Sequence, residues 1–71
     1  MDTFFLFDST HHVLKAEKAL KAAGIQPEVV PTPRDLSSNC GVCLKVDGAR
    51  RQDAEATLKE SHVSIENVYE R

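Results

Sequence analysis

A chain of 71 residues makes one small domain, residues 1–71, and its core is thin. At this size only about 60% of the unfolded surface is buried on folding. An apolar share of 41% against 28% charged residues excludes a disordered segment, and a net charge of −2 argues against a nucleic-acid binder, which needs a basic face. The longest apolar run, residues 4–7, is far short of a membrane span, and no basic stretch precedes it as in a signal peptide. Two cysteines cannot form the disulfide framework of a small secreted domain. The expectation is a cytoplasmic domain with reduced thiols.

Residues 4–7 (Phe-Phe-Leu-Phe) are aromatic-rich and short, which predicts a first strand. Ser9 is the expected N-cap of a helix over 10–23, because Val13, Ala16, Leu20 and Ala23 recur at helical spacing, with Leu14 expected to widen that apolar stripe. Glu17 and Lys21 form an i,i+4 pair on it, and Gly24 is the expected stop. Residues 28–30 form a second strand hemmed by Pro27 and Pro31, which places it at a sheet edge. A polar loop over 31–39 follows. Val42, Leu44 and Val46 alternate with Cys43 and Lys45 as a third strand. Asp47-Gly48 marks a turn. Ala54 and Leu58 give the apolar side of a second helix over 50–61, with Glu55 and Lys59 expected to pair outside. Residues 63–69 supply a fourth strand, centred on 66–69.

The order β-α-β-β-α-β is the ferredoxin-like split βαβ plan, an α+β fold. Right-handed crossovers put both helices on one face of an antiparallel sheet of order 4-1-3-2. The end of the first strand, the start of the first helix, the loop between strands two and three, and the end of the second helix then share one end. Ser9, His11, His12, Arg34, Cys40 and His62 are predicted to gather there. The first strand is apolar on both sides, with Phe4 and Leu6 pointing one way and Phe5 and Phe7 the other, and helices cover only one of the two faces. That exposed apolar face predicts a homodimer.

Two blocks carry a family resemblance. One is Phe7-Asp8-Ser9-Thr10-His11-His12-Val13-Leu14-Lys15-Ala16-Glu17-Lys18. The other is Pro31-Thr32-Pro33-Arg34-Asp35-Leu36-Ser37-Ser38-Asn39-Cys40-Gly41-Val42. Together they resemble the Se/S carrier protein-like family, small bacterial domains found alone or fused to others. The resemblance covers nearly the whole chain. It implies a sulfur or selenium carrier with Cys40 as its characteristic cysteine and Arg34 and Ser37 in the same block. A carrier is a relay and not a stand-alone catalyst. Its implied partner is a sulfur or selenium donor protein such as a cysteine desulfurase. Cys43 departs from the small apolar residue expected there.

The residues themselves fit that chemistry in part. Cys40, in or beside a polar loop, is expected to be partly exposed, and the thiolate is the nucleophile that accepts sulfane sulfur. The positive end of the first helix and the Arg34 guanidinium would favour it. Gly41 leaves room for a donor to approach, and Ser9, His11, Ser37 and Gly41 are candidate binding residues. The plain alternative is a small residue entering a strand. Cys-Gly-Val-Cys also admits a thiol oxidoreductase, although such a motif normally opens a helix, and it admits half a zinc site, which would need His11, His12 or His62. No cofactor or metal is expected. Cys43 reads as a small apolar residue in a strand. His62 at a helix end, Arg34 braced by Asp35, and Arg50-Arg51 on a solvated face have ordinary structural readings too. An interaction module without covalent chemistry is a third function class. A carrier needs Cys40 alone, an oxidoreductase needs both cysteines, and an interaction module needs neither.

Overall fold

A computed structural model of the chain describes residues 1–36 and 40–71. The elements run β1 (Asp2–Leu6), α1 (Thr10–Ala22), β2 (Glu28–Pro31), β3 (Val42–Asp47), a short 3-10 turn (Gly48–Arg50), α2 (Arg51–Glu60) and β4 (Asn67–Glu70). The sheet is antiparallel with order β2-β3-β1-β4, the expected order read from the other edge. The two helices pack against each other, and α1 and α2 both meet β3. The fold is therefore the ferredoxin-like α+β sandwich that the element order predicts. Boundaries move modestly. β1 begins at Asp2, α2 begins one residue later than expected because the 3-10 turn precedes it, and β4 begins at Asn67. Among the described residues no helix is long and apolar enough to cross a membrane.

Local chemistry explains where the helices start and stop. The Ser9 side chain accepts a hydrogen bond from the His12 amide, so the expected N-cap forms. Both helices end in the same pattern. Gly24 donates to Lys21 and Ile25 to Leu20 after α1, while His62 donates to Lys59 and Val63 to Leu58 after α2. These are Schellman caps, which need a left-handed residue at the stop. Gly24 takes φ +79° without strain, whereas His62 takes φ +58° with a side chain attached. Ile25 and Val63, one residue beyond each stop, fall into the core. Gly48 is required for another reason. Its amide donates to the Met1 carbonyl at 3.0 Å, and a Cβ there would collide with that carbonyl oxygen.

The main core lies between sheet and helices. Phe5, Phe7, Leu44 and Val46 meet Val13, Ala16, Leu20, Ala54 and Leu58. Phe5 pairs across the sheet with Leu44, so these side chains share a face, and alternation sends Leu6 and Cys43 to the opposite one. That face is not left in water. Leu6 and Cys43 are both fully buried within the single chain, and Phe4 is half-buried. The expectation of large apolar side chains exposed there is overturned for Leu6, so the argument for a dimer keeps only Phe4.

The segment after β2 reaches toward the opposite edge of the sheet. Pro31 leaves the edge strand level with the Phe7 end of β1. Residues 33–36 form a turn closed by the Leu36 amide on the Pro33 carbonyl at 3.0 Å, and Asp35 pairs with Arg71. Arg71 follows β4 at the other edge and exchanges hydrogen bonds with Asp2, at the far end of β1. The chain thus runs obliquely from one edge strand to the other. Asp35 is engaged by Arg71, not by Arg34 as expected. Glu55 likewise pairs with Arg51 at 2.7 Å in place of Lys59, whereas Glu17–Lys21 forms as predicted at 3.4 Å.

Candidate functional site

Cys40 lies where the crossing segment returns to the sheet. It joins the helix-side core, in the cluster that holds Phe7 and Val13, and is only 5% exposed. The expectation of a partly exposed thiol is therefore wrong. A loop residue's exposure depends on what the loop packs beneath, and here the cysteine is tucked under the first turn of α1. Thr10, the first residue of that helix, brings its hydroxyl to 3.5 Å from the Cys40 sulfur. The predicted juxtaposition of Cys40 with the N-terminus of α1 is thus present. A helix N-terminus favours negative charge beside it, because its first amides lack intrahelical partners.

Thr32 ties the two ends of the loop together. Its amide donates to the Gly41 carbonyl and its hydroxyl to the Cys40 carbonyl, each at 3.0 Å. The same side chain also acts on the Cys43 thiol, lowering its pKa, so Thr32 bears on the surroundings of both cysteines. Thr32 stands between two prolines, and a residue before proline is held extended, which pre-sets its reach.

The cysteines are both thiols, with no disulfide between them. Burial pushes the Cys43 thiol above its ordinary pKa, the Thr32 side chain opposes that shift, and the neighbouring Cys40 adds to it. Cys43 is consequently held neutral at physiological pH. It sits on the crossing-segment side of β3, whereas Cys40 packs on the helix side, a poor arrangement for closing a Cys-x-x-Cys disulfide.

The remaining candidates are distributed as follows. Ser9 uses its hydroxyl on the His12 amide. His11 is exposed, and His12 is half-buried with a buried Nδ1 that has no hydrogen-bond partner among the described residues. Their ring centres are 6.1 Å apart and tilted by 52°. Arg34 is exposed in the 33–36 turn, beside the Asp35 that reaches Arg71. Gly41 is exposed, and a Cβ there would meet nothing within 4 Å, so the chain's own packing does not demand glycine. His62 is exposed at the α2 stop. Ser37 lies outside the described residues. Arg50 and Arg51 are engaged by Asp53, Glu55 and Glu70. Among the described residues no cluster of three or more His, Cys, Asp or Glu is placed to hold a metal ion. Thr10 and Thr32 are the contacts that sequence reading missed. In the sequence Thr10 is only one residue of the Phe7–Lys18 block and Thr32 only one of the Pro-Thr-Pro string, and neither type at that position signals a contact with a distant cysteine.

Residues 2–70 match the model of a family described as "Putative Se/S carrier protein-like". The chain belongs to this family. It is 31% identical over 70 residues to a protein of Aquifex aeolicus named "Putative sulfur carrier protein", a match covering 96% of this chain and 36% of that one. It is also 50% identical over 40 residues to "Uncharacterized protein YtiA" of Escherichia coli, covering 56% of this chain and 47% of the relative. The chain thus spans less than half the length of both curated relatives. No solved structure matches it.

Proposed function

We propose that this member of the Se/S carrier protein-like family accepts sulfur or selenium on Cys40 and passes it to a partner. The reading rests on one observation above the others, the Cys40 sulfur held at the first turn of α1 with the Thr10 hydroxyl at 3.5 Å. The step is a transpersulfidation. The Cys40 thiolate attacks the outer sulfur of a donor's persulfide, a new S–S bond forms on Cys40, the donor's S–S bond breaks, and the donor leaves as a thiolate. A donor perselenide would deliver selenium in the same way. No oxidant is consumed, because the sulfane atom keeps its oxidation state as it changes partner. Reversal of the step onto an acceptor thiol completes the relay, and the protein acts as a carrier in the cytoplasm, fed by a donor such as a cysteine desulfurase.

The burial of Cys40 adds a requirement. The sulfur must come into reach before attack, and local opening of the chain around it is the route a folded domain offers. The open space beside Gly41 suits the close approach of a donor sulfur. The adduct can be sought directly. After incubation with a persulfide donor, intact mass should show one added chalcogen per chain. Cys40→Ser should abolish the addition and Cys43→Ser should keep it. Loading of both single variants, or no loading of the wild type, contradicts the proposal. A disulfide that requires both cysteines would favour the oxidoreductase.

A further inference from the structure

Five of the nine Lys and Arg side chains are held in ion pairs, namely Lys21, Lys45, Arg50, Arg51 and Arg71. All five belong to the end of the sheet opposite Cys40. Lys21 is in the last turn of α1, Arg50 and Arg51 are at the start of α2, and Lys45 and Arg71 are beside Asp2 and the start of β1. The cations without an ion-pair partner among the described residues include Lys15 and Lys18 on α1 and Lys59 in the last turn of α2. The start of α1 and the end of α2 lie at the Cys40 end, so Lys59 is there, while Lys15 is near the middle of α1 and Lys18 in its second half.

The exposed side of α1 is built around this asymmetry. Val13, Ala16 and Leu20 face the core. At 100° per residue, His11, Lys15 and Lys18 then form the outward stripe, with Leu14 on its flank. All four are exposed, and Leu14, against the expectation that it widens the core stripe, is 55% exposed, one of three large apolar side chains left in water among the described residues. The first turn of α1 carries no acidic residue, and Glu17, its single acid, is occupied by Lys21. A helix in a chain of net charge −2 therefore presents a basic stripe with an apolar contact in it. The same helix covers Cys40 through Thr10.

We propose that this stripe of α1 docks an acidic surface of the protein that donates the chalcogen. The inference rests on the carrier reading for the donor's identity, and on charge complementarity for the surface. Unpaired lysines are ready to pair across an interface without first breaking an internal bond, and Leu14 supplies the apolar contact that a purely charged encounter lacks. Through His11 the stripe reaches the first turn of α1, the turn that lies over Cys40.

The test separates docking from chemistry. Three synthetic peptides, one rich in Asp and Glu, one rich in Lys and Arg, and one neutral, each carry serine in place of a reactive cysteine. Each is titrated into the isotope-labelled chain and followed by amide NMR shifts. The acidic peptide should bind best although the whole chain is negatively charged, and its shifts should map to residues 11–22. Binding should weaken about tenfold in Lys15→Glu/Lys18→Glu and fade at about 0.5 M salt, where the screening length drops to a few Å. Preference for the basic or neutral peptide overturns the proposal. So do shifts centred on residues 48–53, or tighter binding to single-stranded RNA or anionic vesicles of matched charge. The acidic peptide carrying a persulfidated cysteine should then load Cys40 faster than the neutral one does. Docking without transfer would leave the surface standing and sink the carrier reading.

Discussion

Cys40 and Cys43 are three positions apart and both are buried, yet they belong to opposite sides of the sheet. Cys43 faces the segment that crosses from β2 to Arg71, where loss of water keeps it a neutral thiol. Cys40 sits in the helix-side core at the first turn of α1, beside a hydroxyl and next to a glycine with open space around it. The difference teaches that burial by itself does not classify a cysteine. What the sulfur lies against decides whether a thiolate is favoured there, and what must move decides whether a reagent reaches it.

The largest test of this contrast is whether the crossing-segment side is a packed layer at all. Leu6→Ala should cost about 2–5 kcal/mol of stability in urea unfolding, the range for a buried leucine. A cost near zero would mean that Leu6 is solvated and that no second layer shields Cys43. Thr32→Val keeps the shape and removes the hydroxyl that serves both cysteines. It should cost about 1–3 kcal/mol, because the Cys40 carbonyl loses its donor. It should also slow alkylation of Cys43, because the thiol loses the neighbour that lowers its pKa, and unchanged labelling would mean that Thr32 does not act on that sulfur.

A pH series sharpens the contrast further. In the unfolded chain the Cys43 thiol ionises near about 8.5, whereas the fold holds its proton to higher pH. Between those two values the folded state binds more protons, so its stability is complete below the unfolded value and falls as pH rises through the window. Cys43→Ala should flatten that decline by up to about 1.4 kcal/mol per pH unit. An unchanged slope would contradict the shift. The smallest effect belongs to the exposed Asp35–Arg71 pair. Asp35→Asn should change stability by no more than about 1 kcal/mol, and less as salt is added. A much larger loss would show that this tie holds the crossing segment in place.

The sequence made some of this arrangement readable for identifiable reasons. Alternation of Val42, Leu44 and Val46 against Cys43 announces which side each takes, because the strand period is fixed at two. Ser9 and Gly24 mark the ends of α1 through side-chain and backbone chemistry that is local. The equivalent stop at His62 is hidden, since a positive φ at a residue with a side chain is imposed by the Val63 contact in the core and not by propensity. The burial of Cys40 and Leu6 is hidden as well. Cys40 is buried beneath the first turn of α1, whose Thr10 is 30 positions away, and the other side of the sheet is spanned by the Asp35–Arg71 pair, whose partners are 36 positions apart. Arg51–Glu55 is itself an i,i+4 pair that competes with Glu55–Lys59, whereas Arg51–Glu70 joins α2 to β4 and no local spacing rule contains it.

The claim that Cys40 is the chalcogen acceptor and Cys43 a sequestered thiol can be read in one experiment. The native protein is exposed to inorganic polysulfide, its thiols and persulfides are capped by alkylation, and the sulfur is located by tandem mass spectrometry of a peptide that contains both cysteines. The account predicts one added sulfur on Cys40 and an unmodified Cys43. Sulfur found on Cys43, or divided equally between the two, would contradict it.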